Sequence, residues 1–316
     1  MPAATSATVY DTYPSQTSAP ITLTAGRYYY VELLHKEGAG SDHYALRWQT
    51  PSNPTNTIIP GSALVAYQDC PTSVRVRALL SGCYVNGTGL MRDDLRSAGL
   101  VPLAEPYTAL GYTHVGGGGE TTSALRLGTT GLNAPVDWVV VEIRSGTTPS
   151  QVLATRSALI ERDGEVVGVD GYPDLLFNLP AGSYHVALRH RNHLGVMTAS
   201  PIALGSAGTP LDLTRGSQAT WGAGARQTLG ADRFGLWSGN VNGDAILKYI
   251  GATNDRDPIL LIIGGSTPLN TVVGYKREDV NMDGVVKYTG ASNDRDPILL
   301  NIGGSIPTNT RAQQLP

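Results

Sequence analysis

The sequence predicts a mainly β protein, with two β-sandwich units followed by a small tandem loop-helix module. Three observations lead to this fold class. The 316 residues include 38 glycines and 20 prolines, which separate short segments of alternating apolar and polar residues, as in strands joined by turns. Few long amphipathic stretches are present. The last third of the chain contains a segment and its near copy, which indicates a duplicated structural unit.

A chain of this length is expected to form two or three domains. Changes in pattern divide it into residues 1–68, a half β-sandwich; residues 69–108, a connecting strand and short helix; residues 109–218, a second β-sandwich; and residues 219–316, the tandem repeat. The net charge of −3 leaves no broad basic field for nucleic acid. No apolar run is long enough to predict a membrane span.

The first unit has strand patterns around Ile21 and Leu23, over residues 28–35 and over residues 41–48. Its phrases Leu-Thr-Ala-Gly-x-Tyr-Tyr, His-Lys-Glu-Gly and Ile-Pro-Gly-Ser resemble the C-terminal half of the protective-antigen-type, lectin-like β-sandwich. That family often binds glycans, so the resemblance implies carbohydrate contact through the aromatic residues Tyr30, Tyr44 and Trp48. The alternative is that these rings fill the sandwich core.

Half a sandwich cannot bury its core alone, and Met1-Pro-Ala-Ala-Thr lacks the basic and apolar regions of a signal peptide. We therefore expect the native protein to extend further at its N-terminus. Cys70 and Cys83 are the only cysteines. They are either a disulfide, which would imply an oxidising compartment, or two buried thiols.

The segment 109–203 has six strand-sized apolar segments separated by Gly, Pro or Asp. Its phrase Pro-Ala-Gly-Ser-Tyr, residues 180–184, is similar to a hairpin of transthyretin-like and immunoglobulin-like surface modules. The order of all the parts resembles the C-terminal region of large secreted surface proteins of Bacteroidetes-type bacteria, often called haemagglutinin-like. No catalytic motif of the serine-hydrolase, zinc-protease or Cys-His type occurs, and His185, His190 and His193 are interpreted as surface or turn residues rather than zinc ligands.

The duplication relates residues 240–265 to residues 279–304 at an offset of 39, with 18 of 26 positions identical. Each copy opens with alternating oxygen-bearing side chains, as at positions 1, 3 and 5 of a calcium loop, and position 7 would offer its carbonyl. The proposed ligands are Asn240, Asn242, Asp244 and the carbonyl of Ile246 in the first copy, and Asp279, Asn281, Asp283 and the carbonyl of Val285 in the second.

Position 12, which is acidic in an EF-hand loop, is glycine in both copies, so the closing ligand must come from the later sequence Asn-Asp-Arg-Asp-Pro. The pattern resembles the dockerin-like tandem calcium repeat, and this resemblance assigns closure to Asp257 and Asp296, with Asp255 and Asp294 as rivals. Asp followed by Pro predicts a helix with Asp as N-cap and Pro at its first position. Site two should bind calcium more tightly, since site one has Asn240 in place of a charged ligand and Ala245 in place of glycine. Two solvated Asx-rich turns are the alternative.

These patterns together predict a non-enzymatic, extracellular or bacterial cell-surface protein region with a calcium-stabilised C-terminal module. Its expected partners are calcium, glycans or another surface protein, and further copies of itself. The alternatives are an accessory C-terminal region of a secreted hydrolase whose catalytic domain lies upstream, and a subunit of an extracellular filament.

Overall fold

The computed structural model describes residues 13–23, 29–31, 33, 45–51, 53–64 and 71–316. The chain divides into two compact units, Met1–Gln68 and Asp69–Pro316. The described residues are mainly β and β-sandwich-like, which confirms the predicted fold class at that level. None of the helices in these ranges has the length and apolar character needed to cross a membrane.

The described part of the first unit contains one antiparallel hairpin, formed by β1 (Arg47–Thr50) and β2 (Asn53–Ile58). Strand β1 overlaps the third predicted strand. The first predicted strand is wrong over its described residues, because Ile21 and Leu23 lie outside any strand and are exposed. Without a paired neighbour among the described residues, alternation alone does not make a strand there.

The second unit contains most of the described helices and strands. In chain order they are β3 (Thr72–Arg77), β4 (Tyr84–Val85), β5 (Leu90–Met91), α1 (Asp94–Ser97), α2 (Ala124–Leu127), β6 (Pro135–Ser145), β7 (Val152–Glu161), β8 (Glu165–Val167), β9 (Leu175–Phe177), β10 (Gly182–His190), β11 (His193–Met197), β12 (Ile202–Leu204), β13 (Thr209–Asp212), β14 (Gln227–Gly230), β15 (Arg233–Gly235), β16 (Ile246–Lys248), α3 (Arg256–Ile262), β17 (Thr271–Val273), β18 (Val285–Lys287), α4 (Arg295–Asn301) and β19 (Thr310–Ala312).

Nine of these strands form one sheet in the order β11-β10-β6-β7-β8-β3-β13, with β12 beside β10 and β9 beside β3. Strand β6 is buried on both faces, because its valine-rich sequence presents apolar side chains on either side of the pleat. Strand β3 lies in the segment predicted to be a connector, yet it pairs with β8, β9 and β13 and buries Val74 and Val76. The connector therefore contributes a strand to the sheet.

Each repeat copy forms a loop, a short strand and a helix of about two turns, α3 or α4. The helices begin at Arg256 and Arg295, so the predicted helix start at Asp-Pro is wrong by two residues. The side chains of Asn254 and Asn293 explain the difference, since each accepts a hydrogen bond of 2.9 Å from the backbone N–H three residues later. These asparagines precede the N-cap residues Asp255 and Asp294 and satisfy a backbone N–H of the first helical turn, while neither N-cap aspartate makes a side-chain capping bond.

Candidate metal centre

The carboxylate that faces each loop belongs to the first aspartate of Asn-Asp-Arg-Asp-Pro. Asp255 is fully buried and accepts hydrogen bonds from the backbone N–H groups of Val241 (2.8 Å), Asn242 (3.2 Å) and Lys248 (2.8 Å). Asp294 repeats this arrangement in the second copy, with distances of 2.7, 3.2 and 2.7 Å. Both carboxylates therefore face the loop that carries the other predicted ligands.

The second aspartate of the motif faces away from the loop. Asp257 accepts hydrogen bonds from the side chains of Asn254 and Arg256, and its side chain is 58% exposed. Asp296 has the same partners in its copy and is 52% exposed. The structure thus brings Asp255 and Asp294 to the loops and leaves Asp257 and Asp296 outside them.

The middle of each loop is a series of Asx turns. Asn242 Oδ1 accepts the N–H of Asp244 at 2.9 Å, and Asp244 Oδ1 accepts the N–H of Ile246 at 2.9 Å. In the second copy, Asn281 and Asp283 make the corresponding bonds at 2.8 and 2.9 Å. A carboxylate or amide oxygen can accept more than one contact. Each of these hydrogen bonds therefore uses only part of the lone-pair capacity of the side-chain oxygen.

Position 1 differs between the copies. Asp279 is fully buried and its two oxygens accept the N–H groups of Asp283 (3.1 Å) and Gly284 (2.8 Å). Asn240 is only 6% exposed, and its Oδ1 has no hydrogen-bond partner. A buried, unpaired oxygen is costly, so the first loop holds an acceptor that a cation could satisfy.

Burial also disfavours the charged form of the loop carboxylates. It raises the pKa of Asp255 to about 7, of Asp279 to about 6 and of Asp294 to about 8. Among the described residues, none of the three forms an ion pair with arginine or lysine. A divalent cation would supply the missing countercharge.

The described residues contain no group of three or more His, Cys, Asp or Glu side chains that could hold a metal ion. The loops combine such carboxylates with asparagine amides. Their fit to a hard cation therefore depends on amide and carbonyl oxygens as well as carboxylates.

The backbone around the central aspartate is left-handed in both loops. In the first loop Gly243 (φ 78°) and Ala245 (φ 69°) adopt this conformation, and in the second Met282 (φ 60°) and Gly284 (φ 86°) do so. A non-glycine residue there costs about 1–2 kcal/mol. Each loop has one non-glycine residue in this conformation around its central aspartate, so the glycine missing at position 245 is offset by Gly243. Backbone strain alone therefore does not predict which loop would bind a cation more tightly.

The two loops differ in their surroundings. In the second loop Met282 is 1% exposed and belongs to the main core of the sheet, and Arg92 Nη2 donates to Asn281 O at 2.7 Å. In the first loop Gly243 and Asp244 are exposed and Asn242 is half-buried. The second loop is therefore held against the sandwich, whereas the first faces solvent.

The three histidines predicted to be surface or turn residues are buried, so the surface placement is wrong, while His190 and His193 flank the turn between β10 and β11. His190 Nε2 lies 3.1 Å from Asp137 Oδ2, and His193 Nδ1 lies 2.9 Å from His190 Nδ1. His185 lies apart from this pair and contacts Thr198 O at 2.9 Å. The physical reason is a charged partner inside the sheet, since Asp137 on β6 is itself fully buried.

Asp137 also links the sheet to the C-terminal module, which sequence reasoning missed. Arg191 Nε donates to Asp137 Oδ2 at 2.9 Å, and Tyr275 Oη donates to Asp137 Oδ1 at 2.5 Å. Burial alone would raise the pKa of Asp137, but the Arg191 charge and the His190 hydrogen bond outweigh it and hold this pKa at about 2. No local pattern marks this set, because its members are far apart in sequence.

The remaining predicted residues lie in both units. Tyr30 and Trp48 are 64% and 39% exposed, so neither fills a core in the described residues. Tyr44 and Cys70 lie outside the described residues. Cys83 is a buried free thiol whose Sγ lies 3.7 Å from Leu80 O, and burial raises its pKa.

The fold and the loops thus define a mainly β chain with a duplicated Asn/Asp loop at its C-terminal end. Comparison of this chain with protein-family models, with curated proteins and with solved structures gave no match.

Proposed function

We propose that this chain is a non-enzymatic region of an extracellular or cell-surface protein whose C-terminal repeats bind two calcium ions. The observation that carries the proposal is the duplicated placement of Asp255 and Asp294, which are buried, face the loops and form no ion pair with a basic side chain among the described residues. The unpaired, buried Oδ1 of Asn240 supports it independently. Calcium is the cation that oxygen-only loops of this kind favour.

The ligand sets follow from the loop contacts. Site one would use Asn240, Asn242, Asp244, the carbonyl of Ile246 and Asp255; site two would use Asp279, Asn281, Asp283, the carbonyl of Val285 and Asp294. Site one has two carboxylates and site two has three. Since affinity for a hard cation rises with ligand charge, site two should bind calcium more tightly.

The two aspartates of each closing motif provide a matched test. Replacement Asp294→Ala is expected to abolish the tighter site, whereas Asp296→Ala should leave both sites, since Asp296 is exposed and faces away from the loop. Isothermal titration calorimetry with calcium gives the stoichiometry and the two affinities. The reverse result, with Asp296 required and Asp294 dispensable, would contradict the proposed closure, and a wild-type chain that binds no calcium would refute the proposed function.

The biological role proposed for this module is to stabilise the end of a larger protein used for adhesion, glycan contact or assembly. Calcium is abundant outside cells, so loops that need it for folding suit an extracellular chain. An accessory region of a secreted hydrolase and a filament subunit are the alternatives. Both would carry the same calcium loops, so only an upstream catalytic domain or self-association of the purified chain distinguishes them.

Glycan contact is a second candidate function, favoured by the exposure of Tyr30 and Trp48 in the first unit. Exposed aromatic rings can stack on sugar rings. We expect alanine replacement of Tyr30, Tyr44 and Trp48 together to abolish binding on a glycan array. Replacement of the exposed aliphatic Leu23 by alanine is the control and should leave binding unchanged. Binding that survives the triple replacement would count against this surface.

A further inference from the structure

The tip of the hairpin between β10 and β11 lies against both calcium loops. Asn192, at this tip, is fully buried. Its backbone carbonyl accepts the N–H groups of Gly239 (2.9 Å) and Asn240 (3.0 Å). Its side-chain Nδ2 donates to the carbonyls of Arg277 (3.0 Å) and Asp279 (2.7 Å). One residue of the sandwich thus contacts the first ligand position of both loops.

These contacts differ in kind between the loops. The ligands occur twice in the repeat, but Asn192 contacts both loops. The backbone carbonyl of Asn192 holds the first loop, and the side chain of Asn192 holds the second. We propose that Asn192 is a positioning residue for calcium, whose side chain fixes the backbone of Asp279 and thereby strengthens the second site only. This inference rests on the proposed calcium sites. Partners that orient a metal ligand typically change metal affinity when they are removed.

The Asn192 side chain is itself held in one orientation. His193 Nε2 accepts the N–H of Gly82 at 3.2 Å, so the proton of the neutral ring is on Nδ1. His193 Nδ1 lies 2.9 Å from Asn192 Oδ1 and also 2.9 Å from His190 Nδ1, so its one proton has these two acceptors. The two module carbonyls can only accept, so they require the amide nitrogen on their side. The amide nitrogen is therefore fixed by the two carbonyls, with a ring N–H within reach of the amide oxygen, before calcium binds, as expected for a preorganised site.

The second loop is also packed closely against the segment between β3 and β4. A Cβ built on Gly82 would lie 2.2 Å from Val280 O, so the backbone of the second loop approaches the sandwich too closely for any other residue there. The second loop thus cannot retreat from Asn192 without losing this packing. The first loop has no comparable side-chain contact from Asn192.

The test compares Asn192→Ala with Asn301→Ala. Asn301 is a buried asparagine of α4 whose Nδ2 donates to Ser238 O at 2.8 Å, but it contacts no proposed ligand. Calorimetric titration with calcium should show the second site weakened about tenfold in Asn192→Ala, with the first site unchanged. Asn301→Ala should lower the melting temperature while leaving both affinities unchanged.

If Asn192→Ala does not fold, Asn192→Ser is the second variant, since its shorter side chain cannot reach the Asp279 carbonyl. Hydrogen exchange in calcium-free buffer gives an independent readout, because loss of the contact should accelerate exchange in the second loop more than in the first. Unchanged affinities, or equal weakening of both sites, would overturn the inference while leaving the calcium sites intact. A wild-type chain without calcium binding would overturn the proposed function and this inference together.

Discussion

Removal of calcium is expected to unfold residues 240–316 while the nine-stranded sheet stays folded. Without a cation, the buried carboxylates of Asp255, Asp279 and Asp294 lose their proposed countercharge, and binding energy is lost as folding energy. A single site saturated a thousandfold above its dissociation constant contributes about 4 kcal/mol. Hydrogen exchange with and without a calcium chelator measures the effect segment by segment.

The sheet should survive because its core hardly uses the module. Of the buried side chains in the main cluster, Met282 alone comes from the repeats. We therefore expect increased exchange also at the hairpin tip near Asn192, but not in β6 or β7. Magnesium added after chelation is the control, since it should not restore protection. Equal protection in both buffers, or simultaneous loss in β6, would contradict this expectation.

Replacement of Asp137 by alanine is expected to destabilise the second unit by about 3–5 kcal/mol, because it leaves buried charge without its partner. Arg191 is 4% exposed and would lose its carboxylate, and Tyr275 would lose the acceptor of its hydroxyl. Urea denaturation in saturating calcium measures the change in the free energy of unfolding. Saturating calcium keeps the module folded in both proteins. The difference in the free energy of unfolding then reflects the loss of the buried cluster around Asp137.

Asp163→Ala is the matched control for this prediction. Asp163 pairs with Arg77 at 3.2 Å, but both side chains are partly exposed, and such pairs contribute at most about 1 kcal/mol. A loss for Asp137→Ala no larger than that for Asp163→Ala would show that the buried cluster does not hold the module to the sheet. Because the pKa of Asp137 is held at about 2, its contribution should persist at neutral pH and be lost only as pH falls from about 4 toward 2.

The mainly β class and several strands could be predicted from the sequence because they depend on local patterns. The valine-rich run of β6 and the Gly and Pro residues between strands are visible without tertiary contacts. The strand expected at Ile21 and Leu23 is wrong in the described residues, since a strand needs a partner as well as alternation. The place of β3 inside the sheet was also missed, because its parallel partner β13 follows more than 130 residues later.

The sequence by itself determined the duplication, and with it the type and spacing of the oxygen-bearing side chains in both loops. It left two candidates for the closing ligand, because Asp255 and Asp257 are two residues apart and equally acidic. Tertiary contacts distinguish the two: Asp257 is exposed and pairs with Arg256, whereas Asp255 is buried and accepts backbone N–H groups of the loop, which favours Asp255 as the proposed closing ligand. The burial of His190, Arg191 and Asn192 was likewise decided by contacts from distant segments. These contacts supply the charge and hydrogen-bond partners without which a local sequence pattern predicts polar residues to lie at the surface.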